Sequence, residues 1–282
     1  MPLQTVTAHR YVTPLREGGS LPAIVDTDGG MVVTKFRGAG QGARALIAEV
    51  IVGGLANRLG LPLPPLKIVQ APEGFGRSEP DPEIQDILRA SVGTNVGLGY
   101  IEGAFPYDPA AVADLIPPEL AADIVWLDAL VTNIDRTARN TNLLVTEGDA
   151  APRLWLIDHG AALYFHHNWD SVTEERARAT FPAIRDHVLL PIASSIHNAD
   201  DRLARQLDAD AIGAILDDVP DDLLMHAPEG RTPPFDTAST ARTRYAEWLH
   251  TRLRAPRAWV DAADTDRTDL ETSDTSPLPY RR

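Results

Sequence analysis

Residues 131–160, VTNIDRTARNTNLLVTEGDAAPRLWLIDHG, constrain the rest of the chain more than any other stretch. They read as a helix end, a polar loop, a strand, a turn and a second strand. The apolar runs 143–145 (LLV) and 154–157 (LWLI) have the length expected of a hairpin, with Glu147-Gly148-Asp149 turning between them. Polar residues gather just outside those strands: Asp135, Arg136, Asn140 and Asn142 before, Asp158 after. Two carboxylates and an amide held by one hairpin suit a magnesium–phosphate site, because magnesium takes a few hard oxygen ligands and keeps its waters.

The spacing Asp135-x-x-x-x-Asn140 is that of the kinase catalytic loop, and Asp158-His159-Gly160 stands where kinases carry Asp-Phe-Gly. With 27 Asp and 7 Asn in 282 residues, about 0.7 such pairs arise by chance, so spacing alone decides nothing. The strand context and the second Asp decide it. The wording NIDRTARNTNLL followed by LIDHGAAL resembles the HipA-like kinases, a branch of the protein-kinase-like fold. It is also similar to the Asp-Arg-His-x-x-Asn loop of phosphatidylinositol kinases. The resemblance spans about residues 11–165. It implies that Asp135 is the catalytic carboxylate and that Asn140 and Asp158 hold magnesium. Three positions depart from the pattern. Arg136 follows the Asp instead of preceding it, Thr137 stands where phosphatidylinositol kinases have His, and His159 replaces Phe.

Upstream, residues 10–15 (RYVTPL), 21–25 and 31–36 (MVVTKF) read as strands, with Glu17-Gly18-Gly19-Ser20 and Asp28-Gly29-Gly30 as turn signals. From the residues alone both glycine pairs are hairpin turns. The resemblance implies that Gly18, Gly19 and Ser20 also bring backbone N–H groups to the nucleotide phosphates. Residues 37–42 (RGAGQG) form a second glycine-rich loop, either a connector or another place where helix-terminal amides meet phosphate. Lys35 ends the run Val-Val-Thr-Lys, similar to the Val-Ala-Ile-Lys of kinases, whose lysine contacts the α- and β-phosphates. Alternation puts Val33 and Lys35 on one face, beneath the sheet, where a charge demands a partner. The resemblance implies that Glu49 supplies it, from a helix expected over residues 43–59; a solvated helix residue is the alternative, and the apolar neighbours Ile47, Ala48, Val50 and Ile51 favour the pair. Gly53 and Gly54 inside that helix cost about 1 kcal/mol each relative to Ala, so close packing or a bend is expected there.

Pro62, Pro64 and Pro65 mark a linker before a strand at 66–70, and residues 71–86 (APEGFGRSEPDPEIQD) read as an exposed insertion. A strand over 96–102 follows, and the kinase order places the adenine-pairing hinge at Tyr100, Ile101 and Glu102. From Pro117 the chain becomes helical. Leu120, Ile124, Leu127 and Val131 keep a 3.6-residue period, burying one side of a helix that delivers the catalytic loop. Ser171-x-x-Glu174 is a capping-box signature, and helical patterns continue over 184–196, 209–216 and 237–260. Residues 263–282 are polar and apolar-poor, and read as a disordered acidic tail.

Cysteine is absent, which excludes disulfides and thiolate zinc sites. His159, His166 and His167 lie near Asp158, but without HEXXH spacing a transition-metal hydrolase is not expected. A net charge of −14 argues against broad nucleic-acid or anionic-membrane binding. No run approaches the ~18 apolar residues of a membrane span. The opening MPLQTVTAHRYVTPL lacks the basic-then-apolar order of a signal peptide, so a cytoplasmic protein is expected. The expected architecture is α+β, a two-lobed protein-kinase-like fold with a strand-rich N-lobe (1–101) and a mainly helical C-lobe (102–262). The expected activity is ATP- and magnesium-dependent transfer of the γ-phosphate to a hydroxyl, on protein Ser/Thr or on a small alcohol. A competing reading keeps the fold and removes the chemistry, leaving a regulatory ATP-binding module. The joint presence of Lys35, Glu49, Asp135, Asn140 and Asp158 favours the enzyme.

Overall fold

A computed structural model describes residues 2–15, 21–40, 42–148, 151–227 and 230–274. Its first part is built on β1 (Gln4–Pro14), β2 (Ala23–Thr27), β3 (Gly30–Lys35), α1 (Gly42–Arg58), β4 (Leu66–Ala71), α2 (Pro82–Ala90) and β5 (Gly93–Gly99). The five strands close into a barrel in the order β1-β2-β3-β5-β4. Four pairings are antiparallel; the fifth, β1 with β4, is parallel, with Gln4 opposite Lys67, and it closes the ring. Alternation fills the interior with Val6, Ala8, Val25, Val32, Val69 and Ala71. The β2–β3 hairpin turns where Thr27 pairs Gly30, whose φ of 92° suits glycine.

Residues 71–86 are largely exposed, as expected, but they carry a buried anchor and the start of a helix. Asp81 caps α2 by accepting from Glu83 N at 2.9 Å, with Pro82 in the first turn. Ile84 and Leu88, one turn apart, join Phe75 in the barrel core. Strand β5 ends at Gly99 rather than at Glu102, so Tyr100, Ile101 and Glu102 lie in the loop beyond it.

The second part contains β6 (Phe105–Pro106), α3 (Pro109–Val112), α4 (Pro118–Val131), β7 (Leu143–Thr146), β8 (Arg153–Leu156) and α5 (Glu174–Arg178). Then come α6 (Ile196–Leu203), α7 (Ala209–Asp217), α8 (Asp221–Leu224), α9 (Ala238–Leu253) and α10 (Ala258–Asp274). β7 and β8 form the expected hairpin, and β6 adds a third antiparallel strand. Helix α4 is not one-sided: from Ile124 to Val131 every residue is buried, Asp128 included. Its last-turn carbonyls, on Ala129 and Leu130, accept from the buried Arg252 of α9, whose guanidinium lies between the Trp248 and Trp259 rings.

Helix α1 is wedged between the barrel and the later helices, packing against α7 and α8. Close approach explains Gly54 more than Gly53. A Cβ on Gly54 would stand 2.7 Å from Ile215 Cγ2, and one on Gly53 2.9 Å from Leu66 Cδ2. The capping residue of α5 is Thr173, which accepts from Arg176 N, while Ser171 Oγ donates to Asn168 O. Short 3₁₀ turns replace the helix expected over 184–196, and the pattern over 237–260 divides into α9 and α10. The tail expectation is corrected as far as Asp274. Residues 263–274 are helical, Trp259, Val260 and Ala263 are buried, and Asp264 Oδ1 accepts from Ile196 N at 2.7 Å. Tertiary packing holds this helix, which its own sparse apolar content does not announce. Among the described residues no helix is long and apolar enough to cross a membrane.

Candidate active site

Strand β3 sends Val32 and Thr34 into the barrel and leaves Lys35 on the outer face, toward α1 rather than beneath a sheet. There Lys35 Nζ donates to Glu49 Oε1 and, at 2.5 Å, to Asp158 Oδ1. Burial alone would lower the lysine pKa, but the two carboxylates outweigh it and raise it. Glu49 is 2% exposed. Burial would push its pKa up, yet the Lys35 charge and the contacts from His159 hold it well below the ordinary carboxylate range. The pair is therefore ionised at neutral pH.

The catalytic-loop residues are placed from below. α4 ends at Thr132, whose φ of 54° turns the chain out of the helix. Asn133 donates to Asp128 Oδ1 at 3.0 Å and accepts from Asp135 N at 3.1 Å. Asp135 Oδ2 then accepts from Asn140 Nδ2 at 2.8 Å and from Asn142 Nδ2 at 3.1 Å. Thr137 N, donating to Asn140 O at 2.9 Å, closes the loop.

Arg136 explains its own departure from the kinase order. It is buried, donates from Nε to Asp128 Oδ2 at 2.5 Å, and from its other end reaches Asn142 O and Ile157 O. His187 donates from Nε2 to the same Asp128 oxygen at 2.9 Å, while its Nδ1 accepts from Leu189 N, which specifies the neutral tautomer. Burial lowers the His187 pKa, and Arg136 adds to that against the pull of Asp128. At Asp128 burial would raise the pKa, but Arg136 and His187 keep it well below the usual range. This strut joins α4 to the loop and the hairpin. Sequence reasoning missed Asp128, Asn133 and His187. The available signal was an Asp inside the otherwise apolar VWLDALV, since a buried carboxylate needs a cation.

Asp158 sits in the left-handed region (φ 53°) with its side chain 31% exposed, and Oδ1 also accepts from Gly160 N. Ile157 N donates to Asn142 O at 3.1 Å. Lys35, Glu49, Asp158 and His159 thus form one hydrogen-bonded set, and Asp135, Asn140 and Asn142 another, joined through Arg136 and the Asn142–Ile157 backbone. Tyr100 is exposed, its N–H donating to Met31 O beside β3. Neither it nor Ile101 or Glu102 hydrogen-bonds with Lys35, Asp135 or Asp158. Gly18, Gly19 and Ser20 lie outside the described residues. In the 37–42 loop, Gly38 N donates to Ser91 Oγ and Gly42 N to Ala39 O, so those amides are committed internally.

Among the described residues no group of three or more His, Cys, Asp or Glu could hold a metal ion. The part-exposed Asp158 carboxylate and the Asn140 carbonyl, whose amide nitrogen is engaged by Asp135, are the oxygen donors at hand. Hard oxygens of this kind are the ligand type that magnesium takes. The sequence model for HipA-like kinase matches residues 13–248. The chain belongs to the HipA-like kinase family. Comparison with curated proteins gave no match. Among solved structures this HipA-like kinase is similar to the Helicobacter pylori proinflammatory kinase CtkA, with a TM-score of 0.54 and 12% identity over 95% of this chain and 99% of that one. At that identity the likeness is one of fold. Family and fold together support a kinase, hence a phosphotransferase.

Proposed function

We propose that this HipA-like kinase binds ATP with magnesium between two lobes and passes the γ-phosphate to the hydroxyl of a protein Ser or Thr. The observation that carries the reading is the bonding of Lys35 to both Glu49 and Asp158, on three elements far apart in sequence. In this reading the barrel with α1 is the smaller lobe and the chain from residue 102 the larger. Tyr100, Ile101 and Glu102, just past β5, meet adenine, and Gly18, Gly19 and Ser20 cover the phosphates. Lys35, steadied by Glu49, orients the α- and β-phosphates. Asn140 and Asp158 would hold magnesium, which supplies charge neutralisation on the transferring group.

Asp135 takes both its amide hydrogen bonds on Oδ2, and Oδ1 accepts none among the described residues. That oxygen would accept the proton of the acceptor hydroxyl as the new O–P bond forms, the bond from γ-phosphorus to the bridging oxygen breaks and ADP leaves. The loop that carries it is open: Ile134, Ala138, Arg139 and Asn140 are exposed, which suits a macromolecular acceptor. Calorimetric titration with ATP, with magnesium and with EDTA, tests the reading. Binding that depends on magnesium, raises the melting temperature and loses its magnesium-dependent part in Asp158→Ala is expected. No binding at millimolar nucleotide would reject it.

A further inference from the structure

We infer that His159 is a positioning residue whose imidazole, together with its own backbone N–H, fastens the Glu49 carboxylate so that Lys35 stays aligned. The inference rests on the kinase reading of the site. His159 is fully buried. Its backbone N donates to Glu49 Oε1 at 2.6 Å, and its Nδ1 lies 3.4 Å from Glu49 Oε2. A carboxylate offers only acceptors, so Nδ1 carries the proton on that side. Both oxygens of Glu49 are thereby engaged, one by Lys35 and the amide, the other by the imidazole.

The bonds close a ring. Lys35 holds Glu49, Glu49 holds His159, the peptide leads from His159 to Asp158, and Asp158 returns to Lys35. Nucleotide binding asks Lys35 to turn to phosphate and Asp158 to turn to magnesium, which opens that last link. Glu49 then depends on His159 to keep its carboxylate where Lys35 needs it. The other ring nitrogen, Nε2, is buried with no partner among the described residues, so among these Glu49 is the only polar engagement of the ring. A Phe, with its somewhat larger ring, would bury no unsatisfied nitrogen, and the Nδ1 contact is what favours His over it.

The test compares wild type, His159→Phe and His159→Asn in two measurements. The first is steady-state ATP turnover. The second is acylation by an amine-reactive acetylating reagent, scored by mass spectrometry as Lys35 relative to Lys67. These are the only two lysines in the chain, and Lys67, bonded to Gly29 O on the barrel, serves as internal reference. His159→Phe is expected to lower kcat about 10-fold with KM within about 3-fold, as loss of orientation rather than of binding. Its Lys35 acylation should rise about 3-fold or more as the ion pair loosens. The Asn variant, whose Nδ2 falls near the position of Nδ1, should recover most of both. A Phe variant matching wild type, or Phe and Asn variants equally impaired, overturns the inference. Because acylation needs no turnover, a wild type that binds no ATP defeats the kinase reading while Lys35 reactivity still decides the role of His159.

Discussion

Lys35 donates to two carboxylates at once, Glu49 on α1 and Asp158 beyond β8, and this double engagement is what the site turns on. A buried ion pair is weak evidence for stability, since desolvation offsets much of the attraction, so its value here is geometric. Lys35→Met and Glu49→Gln should each depress turnover, and the double variant should be little worse than either alone, with a coupling of at least about 1 kcal/mol. Steady-state kinetics on the four proteins checks this; two fully additive defects would show that the residues act separately. The pairing of Lys35 with Glu49 was legible in the sequence, because a lysine on a strand face and a glutamate among apolar helix residues each call for a partner of opposite charge. Asp128, Asn133 and His187 were not. Their partners are determined by the burial of α4 and by a segment that returns after residue 180, which no local pattern records.

At the scale of elements, period-2 runs gave the strands and the 3.6-residue period gave α1 and α4, whereas α2 and α10 stayed hidden behind polar composition. Ile84 and Leu88 show why: two apolar anchors one turn apart suffice when a barrel end waits to receive them. Helix α1 places Glu49, so its seating decides the site. Its two glycines make different demands. A methyl on Gly53 meets the far ends of Leu63 and Leu66, which can move, while one on Gly54 meets the branched Ile215. Gly53→Ala should therefore gain up to about 1 kcal/mol of helix propensity. Gly54→Ala should lose that gain and more, to overpacking of about 1–3 kcal/mol. Chemical denaturation of both variants checks the contrast, and a stabilised Gly54→Ala would mean that α1 is not held against α7.

Over the whole molecule, the barrel closes through the parallel β1–β4 pairing, a non-local contact that single-strand patterns do not reveal. A second core then runs without interruption from α1 and the outer faces of β4 and β5 into α4, α6, α7, α9 and α10. That continuity is what brings a lysine from the barrel to a carboxylate of the hairpin. In the proposed function the assembled site transfers phosphate with Asp135 as its proton acceptor. It is tested most directly by following radiolabelled ATP through wild type and Asp135→Asn at saturating nucleotide, scoring phosphate passed to protein or to water. ATP affinity is expected to stay within a few-fold and transfer to fall by about 10²-fold or more. A variant as active as wild type would contradict the role of Asp135. Two proteins that bind ATP alike and transfer nothing would contradict the enzyme itself.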